Sequence, residues 1–196
     1  MPDSDNRRIR KTLTGDFPPN PRAGYVELAV TTPFSFLRGA SDASELAATA
    51  HALGHDALGV ADLNTMAGVV RVHAEAKKAG LRPVIGCRLR LVSGEEFLAY
   101  PRDRAAYGRL CSLLTRGKRH DEGGDWQAKG ACDITLADLA AHAEGLQLIV
   151  LPDESLFRRL PQLLRRLPSL RHIAVSHLYR GDDRARINRL DRLARA

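Results

Sequence analysis

Residues Glu27 to Ser41 read ELAVTTPFSFLRGAS, and this stretch joins a strand-like alternating run directly to a turn and a helix start. In α/β proteins the carboxyl end of such a strand commonly carries catalytic or ligand-binding side chains. Here the outgoing positions hold Ala29 and Thr31, and neither residue type binds a metal ion or activates water well. The stretch therefore has the strand, turn and helix start of a strand-end site, but it lacks side chains that could bind a metal ion or activate water.

Strand-like and helix-like segments alternate along the chain after Tyr25. Glycines at 54, 80 and 145 each precede an apolar strand-like run, a pattern typical of βα units on a parallel sheet, and we expect a barrel rather than an open sheet. The predicted strands cover 25–31, 57–60, 82–92, 96–100, 145–151 and 171–175. Helices are predicted after Ser41, at 66–79 and 103–116, after Thr135, over 156–170 and from about 182.

Several helix boundaries follow from single residues. Ser41 is the predicted N-cap of a helix with Leu46, Ala50 and Leu53 on one stripe, and Thr135 is the predicted N-cap of another, with Asp138 at the capping-box position. In the run LFRRLPQLLRRLPSL, prolines 161 and 168 predict short helical pieces. We interpret these pieces as an amphipathic cover for the sheet, with the arginines in water.

Composition excludes several classes of protein. The 196 residues fit one domain or a fragment of a larger one, and three widely spaced cysteines without a CxxC pair argue against a disulfide framework or a zinc finger. No apolar run is long enough to span a bilayer, and no signal peptide opens the chain, so a cytoplasmic location is expected. Glycine-rich nucleotide-binding motifs are also missing from the sequence.

The net charge of +7 lies mainly in the last part of the chain, where residues 153–196 hold 11 arginines against 5 acidic residues. Such a surface suggests a nearby polyanion such as DNA. Arginine used simply as a solvated helix residue explains it equally well, because the arginines do not interleave with stacking aromatic residues. Both interpretations stay open.

Side chains expected at strand ends form a poor catalytic set. After Ala29 and Thr31 come Asp62 and Asn64, then Arg88, then Asp153 and Glu154, with no histidine among them and a cation in the middle. The seven histidines are scattered, and we expect most of them to be structural or exposed. His177 stands out because it lies just beyond a predicted strand, although it has no evident partner.

Long phrases of this chain resemble a known family. Four of them are FSFLRGAS, AGVVRVHAEAKKAGL, YPRDRAAYGRLCSLLTRGKR and HLYRGDDRAR. They resemble the N-terminal PHP (polymerase and histidinol phosphatase) domain of bacterial C-family DNA polymerases, and within it the error-prone, damage-inducible branch. The resemblance implies a distorted (β/α)7 barrel, here truncated before its last strands, and active members hold a cluster of metal ions at the strand ends.

The resemblance also implies where metal ligands should stand. The family's H-x-H pair falls on Ala29 and Thr31, its T-D-H on Ala61, Asp62 and Leu63, and its glutamate on Arg88. Only Asp62 matches, so we expect a degenerate site without bound metal. We also expect Arg88 to replace the metal as the local positive charge, paired with Asp62 or Glu27.

The resemblance leads to a specific functional hypothesis. Residues 1–23 would be a flexible arm and 24–196 an incomplete PHP domain with a structural role in an error-prone polymerase for damage-induced mutagenesis and translesion DNA synthesis. Expected partners are the remainder of the polymerase and, through it, DNA, with mutagenesis accessory proteins or a sliding clamp as further candidates and no membrane. One alternative is a stand-alone PHP-type metal-dependent phosphoesterase or 3′–5′ exonuclease, and another is a non-catalytic DNA-binding module.

Overall fold

The computed structural model describes residues 24–119, 125–153 and 155–195. These residues form a mixed α/β fold in which six strands are hydrogen-bonded in chain order. The predicted N-terminal arm, His120 and Glu154 lie outside the described residues. The strands are β1 (Val26–Val30), β2 (Ala57–Leu63), β3 (Arg82–Arg90), β4 (Glu96–Pro101), β5 (Leu146–Leu151) and β6 (Leu170–Ile173). The helices are α1 (Ala43–Ala52), α2 (Val69–Lys78), α3 (Arg104–Gly117), α4 (Leu136–His142), α5 (Leu156–Arg166) and α6 (Asp183–Arg195).

The sheet is mixed rather than purely parallel. Strand β1 pairs parallel with β2, and β5 pairs parallel with β6, as the βα pattern predicts. Strand β4 instead runs antiparallel to both β3 and β5. The cause is the short connection after β3, where Gly94 adopts φ +98° and its N–H donates to the carbonyl of Leu91. Such a short turn can join only antiparallel strands.

The described residues divide into two compact units, one made of 24–60 and 67–84 and the other of 61–66 and 85–195. In the first unit α1 begins one residue later than expected. Asp42, not Ser41, is the N-cap, and Asp42 and Glu45 form a capping box. The buried face of α1 carries Ala47 and Ala50, whereas Leu53 is 61% exposed, because the chain leaves the helix before Leu53 can join the stripe.

The turn that follows β1 has a physical requirement for glycine. Thr32 and Ser35 are buried, and the carbonyl of Ser35 accepts hydrogen bonds from the N–H groups of Arg38 and Gly39. A Cβ atom on Gly39 would lie 2.3 Å from the carbonyl oxygen of Thr32 and 2.5 Å from that of Thr31. The glycine of FSFLRGAS therefore allows two backbone segments to approach more closely than any side chain permits.

The core of the second unit lies between its strands and helices. Phe97 on β4 and Leu148 on β5 are fully buried with Leu110 and Leu113 of α3. The predicted cap of α4 is confirmed, since Thr135 and Asp138 form a reciprocal capping box. These contacts explain why the apolar periodicity of this part of the sequence predicts its elements well.

Helix α5 corrects the expectation of short pieces. It runs without a break from Leu156 to Arg166 and contains Pro161 in its interior. The leucines at 156, 160, 163 and 167 are all buried on one stripe, and this packing outweighs the cost of proline in the helix. Arg158, Arg165 and Arg166 are exposed, in agreement with the amphipathic interpretation, whereas Arg159 is only partly exposed and its Nη1 donates to Oε1 of Glu95 at 2.7 Å. No helix in the described ranges combines the length and apolar character needed to cross a membrane.

Candidate functional site

The first unit contains two of the predicted site positions, Ala29 and Thr31. Ala29 is exposed, and its N–H donates to Oε1 of Glu27 at 2.8 Å. The hydroxyl of Tyr25 donates to the other oxygen of Glu27 at 3.1 Å. The Glu27 carboxylate is thus engaged within its own strand, and the hydroxyl of Thr31 contacts the carbonyl of Ala29.

The second unit contains the end of β2 and most of β3. The sequence predicts Asp62 just beyond the strand, but Asp62 lies inside β2 and is completely buried. Its carbonyl lies 3.2 Å from the thiol of Cys87 on β3, which also contacts the carbonyl of Thr65 at 3.5 Å. Burial raises the pKa of Cys87 to about 12, so this thiol stays protonated and acts as a weak donor, not as a nucleophile.

Asn64 has a structural explanation. It adopts φ +48°, a conformation that asparagine tolerates better than most residues, directly after β2. Its N–H donates to the carbonyl of Arg88 at 2.8 Å, and its side-chain oxygen accepts from the N–H of Arg90 at 2.9 Å. The side chain therefore continues the pairing with β3 where the strand turns away, which is a role in folding rather than chemistry.

Arg88 and Arg90 share one carboxylate. The two arginines are separated by one residue on β3, so they project from the same face, and Glu96 on β4 is opposite Arg90 in the strand register. Nε of Arg90 donates to Oε1 of Glu96 at 2.7 Å, while Nε of Arg88 lies 3.7 Å from Oε2. Within the second unit the ion-pair partner of Arg88 is thus Glu96, a residue not singled out from the sequence, and not the expected Asp62.

This arrangement has more positive than negative charge. Nε of Arg88 is buried without a hydrogen-bond partner, and the Arg88 and Glu96 side chains are only 22% and 19% exposed. A guanidinium cannot lose its proton at physiological pH, so it can act neither as a base nor as a metal ligand. The two guanidinium groups can bind or orient negative charge, but they cannot activate a nucleophile.

The residues present do not fit a cluster of metal ions. Alanine, threonine, leucine and arginine at positions 29, 31, 63 and 88 offer none of the imidazole or carboxylate ligands that such ions require. Within residues 24–119, 125–153 and 155–195, no group of three or more histidine, cysteine, aspartate or glutamate side chains is placed to hold a metal ion. A cation at Arg88 would in addition repel any metal brought near it.

The remaining candidates have local partners. The carboxylate of Asp153 accepts from the N–H and the hydroxyl of Ser155, at 2.9 and 2.8 Å. His55 packs edge-on against Tyr25, and Nδ1 of His142 lies 2.8 Å from the carbonyl of Asp138. His177 lies 3.7 Å from the carboxylate of Asp183, a partner that its sequence neighbours alone do not reveal.

The structure is a mixed α/β fold, and the predicted strand-end positions 29, 31, 63 and 88 hold alanine, threonine, leucine and arginine. The model of the PHP domain matches residues 27–172, and the chain belongs to this family. It is 46% identical over 180 residues to an error-prone DNA polymerase of Bradyrhizobium diazoefficiens and 45% identical over 176 residues to one of Caulobacter vibrioides. Each match covers 87% of this chain and 16% of the relative.

A third relative supports the same assignment over a shorter range. An error-prone DNA polymerase 2 of Rhizobium meliloti is 54% identical over 129 residues, which cover 66% of this chain and 11% of the relative. The chain therefore spans about a sixth of the curated polymerases that it matches. The predicted resemblance to the PHP region of error-prone polymerases is confirmed.

Two solved structures share the fold at low sequence identity. A candidate metal-dependent phosphoesterase from Bifidobacterium adolescentis superimposes with a TM-score of 0.63 at 14% identity, covering 89% of this chain and 85% of that one. An amidohydrolase from Chromobacterium violaceum gives 0.59 at 14% identity, covering 85% and 83%. These likenesses confirm the predicted fold class and carry no information about activity.

Proposed function

We propose that this chain is the PHP region of an error-prone DNA polymerase and that its contribution is structural, without metal-dependent hydrolysis. In the whole polymerase it would serve damage-induced mutagenesis and translesion DNA synthesis. Nucleotidyl transfer would be the task of the remainder of the polymerase. The observation that carries the structural role is the ion pair of Arg88 with Glu96, which puts a fixed positive charge where the family has a ligand.

Binding of a metal ion at these positions would be energetically unfavourable. Changing a group that merely orients a metal ligand typically lowers affinity or activity 10–100-fold. Here several ligands themselves are replaced, and the only family ligand that remains, Asp62, is completely buried in β2. A single carboxylate is not enough to compensate a divalent ion for its lost water.

An exposed apolar turn supports a docking role. Phe36 and Leu37 are 84% and 90% exposed, and Leu37 adopts φ +60°. Phe34 is 45% exposed and lies under the guanidinium of Arg71 on α2, 5.3 Å from the ring centroid. Large apolar side chains grouped on a surface mark interaction sites. The occupant that we propose for the Phe34–Leu37 turn is the remainder of the polymerase, because relatives of this chain are about six times as long.

Metal analysis and hydrolysis assays test the loss of the metal site. Purified protein should contain far less than one equivalent of zinc or manganese, and it should not hydrolyse p-nitrophenyl phosphate or single-stranded DNA when either metal is added. The stand-alone phosphoesterase or exonuclease remains the competing function. Turnover that disappears in the Asp62→Asn variant would establish that alternative, whereas turnover unaffected by this variant would come from a contaminating enzyme.

Docking is tested separately, with the downstream polymerase region produced as a second chain from the same locus. The double variant Phe36→Ser, Leu37→Ser should lose co-purification with that region. Leu53→Ser is the matched control, since Leu53 is also a well-exposed leucine of the same unit but lies at the end of α1. Equal retention of both variants would refute the assignment of the turn as the docking surface.

A further inference from the structure

The loop after β6 displays a tyrosine on the surface. Tyr179 is 88% exposed and adopts φ +55°, a conformation that is unusual for a bulky aromatic residue. The loop follows the carboxyl end of a strand that pairs parallel with β5, the position where α/β proteins place binding side chains. An exposed ring in an unfavourable backbone conformation calls for a structural cause.

The cause is the carboxylate of Asp183. Its Oδ1 accepts from the N–H of Leu178 at 2.6 Å, and its Oδ2 accepts from the N–H of Arg180 at 3.0 Å. These two donors belong to the residues on either side of Tyr179. Arg186 completes the arrangement, because its Nη2 donates both to Oδ1 of Asp183 and to the carbonyl of Ser176. The Asp183 side chain is only 5% exposed, so the loop is fixed by hydrogen bonds to a buried carboxylate.

The Asp183 carboxylate remains charged at physiological pH. The hydrogen bond from the N–H of Leu178, followed by those from Arg186 and Arg180, lowers the pKa of Asp183 to about 2. A carboxylate that accepts several hydrogen bonds in its ionised form gives each of them additional strength. The backbone around Tyr179 is therefore pre-organised before any partner arrives, which reduces the entropy that binding must overcome.

A second ring extends the aromatic surface. The rings of His177 and Tyr179 have centroids 4.5 Å apart and planes inclined by 57°, and His177 is also exposed. In the sequence these residues are separated only by Leu178, and nothing in that spacing shows that their rings meet. In the folded loop they form one pair, which we call the His177–Tyr179 platform.

The chain segment that carries the platform is basic. Residues 170–195 hold seven arginines and three aspartates. Two of the aspartates are already matched, because Asp183 pairs with Arg186 and Asp191 pairs with Arg195. Arg171, Arg180 and Arg184 are exposed. A ligand that complements this surface needs repeated negative charge and flat rings at the same time.

We propose that the His177–Tyr179 platform and its neighbouring arginines form a binding site for single-stranded nucleic acid. An unpaired base stacks on Tyr179, and phosphates lie against the guanidinium groups of Arg180 and Arg184. Stacking on an aromatic side chain does not discriminate strongly between bases, so the site is expected to tolerate most sequences. The proposal stands on unit-two residues only and does not depend on the role in a polymerase or on the absence of metal.

Fluorescence anisotropy with a labelled oligothymidylate of about 15 nucleotides tests the site at about 50 and about 200 mM potassium chloride. Tyr179→Ser should weaken binding at least about fivefold, and Tyr179→Phe should keep most of the affinity because it keeps the ring. Asp183→Asn should weaken binding too, since it loosens the loop. Arg180→Ala and Arg184→Ala should each lower the salt dependence by about one phosphate contact.

Trp126→Ser is the matched control. Trp126 is 67% exposed and also lies beside an arginine, 5.8 Å from Arg119, but belongs to a different loop. Its replacement should leave affinity unchanged. The proposal is overturned if the parent protein does not bind the oligonucleotide, if Tyr179→Ser binds as tightly as the parent, or if Trp126→Ser loses as much affinity as Tyr179→Ser.

Discussion

The carboxylate of Glu96 is shared by two arginines of β3, and its replacement by glutamine should destabilise the protein measurably. Glutamine has nearly the same shape, so the packing of β4 is kept while the negative charge is removed. Arg90 is 45% exposed and can return to water. Arg88 cannot do so easily, because its Nε is buried and lacks a hydrogen-bond partner. The cost therefore arises mainly at Arg88.

The magnitude follows from these exposures. A solvent-accessible ion pair such as that of Arg90 typically contributes only about 0.2–1 kcal/mol. Leaving the half-buried Arg88 without its counter-charge adds a cost on the order of 1 kcal/mol, at the low end for a buried unsatisfied group because the pair is still partly solvated. Together the expected loss is about 1–2 kcal/mol, which lowers the melting temperature of a chain of this size by about 2–8 °C.

Urea unfolding followed by circular dichroism measures this loss. Glu144→Gln is the matched control, since Glu144 is 84% exposed and its pairing with Arg109 spans 3.8 Å. The control should change stability by less than about 0.5 kcal/mol. In an Arg88→Met background, Glu96→Gln should cost clearly less than in the parent. The reasoning is refuted if Glu96→Gln is no more harmful than Glu144→Gln, or if its cost is the same in both backgrounds.

Three further results are expected. Cys87 should remain unlabelled by iodoacetamide at about pH 8 until urea unfolds the protein, because burial keeps its thiol protonated. Mass spectrometry detects the label, and rapid labelling of the native protein would contradict this expectation. Gly39→Ala should lower the free energy of unfolding in urea by about 2–3 kcal/mol, because its Cβ would clash with two carbonyl oxygens. The control Gly108→Ala lies in α3 with no atom within 4 Å of its Cβ, so it should be neutral or stabilising by up to about 1 kcal/mol. Equal effects of the two variants would count against the close approach at Gly39. The pKa of Asp183 is lowered, so the stabilisation of the loop by its carboxylate is complete above the unfolded pKa of about 4 and is lost as pH falls through about 2. The amide proton shift of Leu178 should therefore titrate with a midpoint near pH 2. A midpoint near pH 4 would show that the hydrogen bonds to Asp183 are weak.

Much of the fold was predictable because it depends on local patterns. The capping box of Thr135 and Asp138 depends on residues three positions apart, and the apolar periodicity of α3 depends on spacing within one helix. The continuity of α5 through Pro161 was not predictable in this way. It depends on how firmly the leucine stripe packs, and local propensity does not contain that information.

The candidate site shows the same division. The types of residue at 29, 31, 63 and 88 could be read directly, and they suffice to predict that ligands are missing. The partner of Arg88 could not be read, because Glu96 becomes its neighbour only through the antiparallel pairing of β3 with β4. The role of Asn64 likewise depends on its contacts with Arg88 and Arg90, more than twenty positions away.

The sequence by itself determined the family of the chain and the residue types that stand at positions 29, 31, 63 and 88, since these depend on the identity and order of residues. Only the tertiary structure decided which charges meet and which rings are displayed. Glu96 is brought to Arg88 by strand register, and Tyr179 is held outward by the carboxylate of Asp183. The physical reason is that ion pairs and hydrogen bonds act over a few ångströms, a range set by folding and not by separation along the chain.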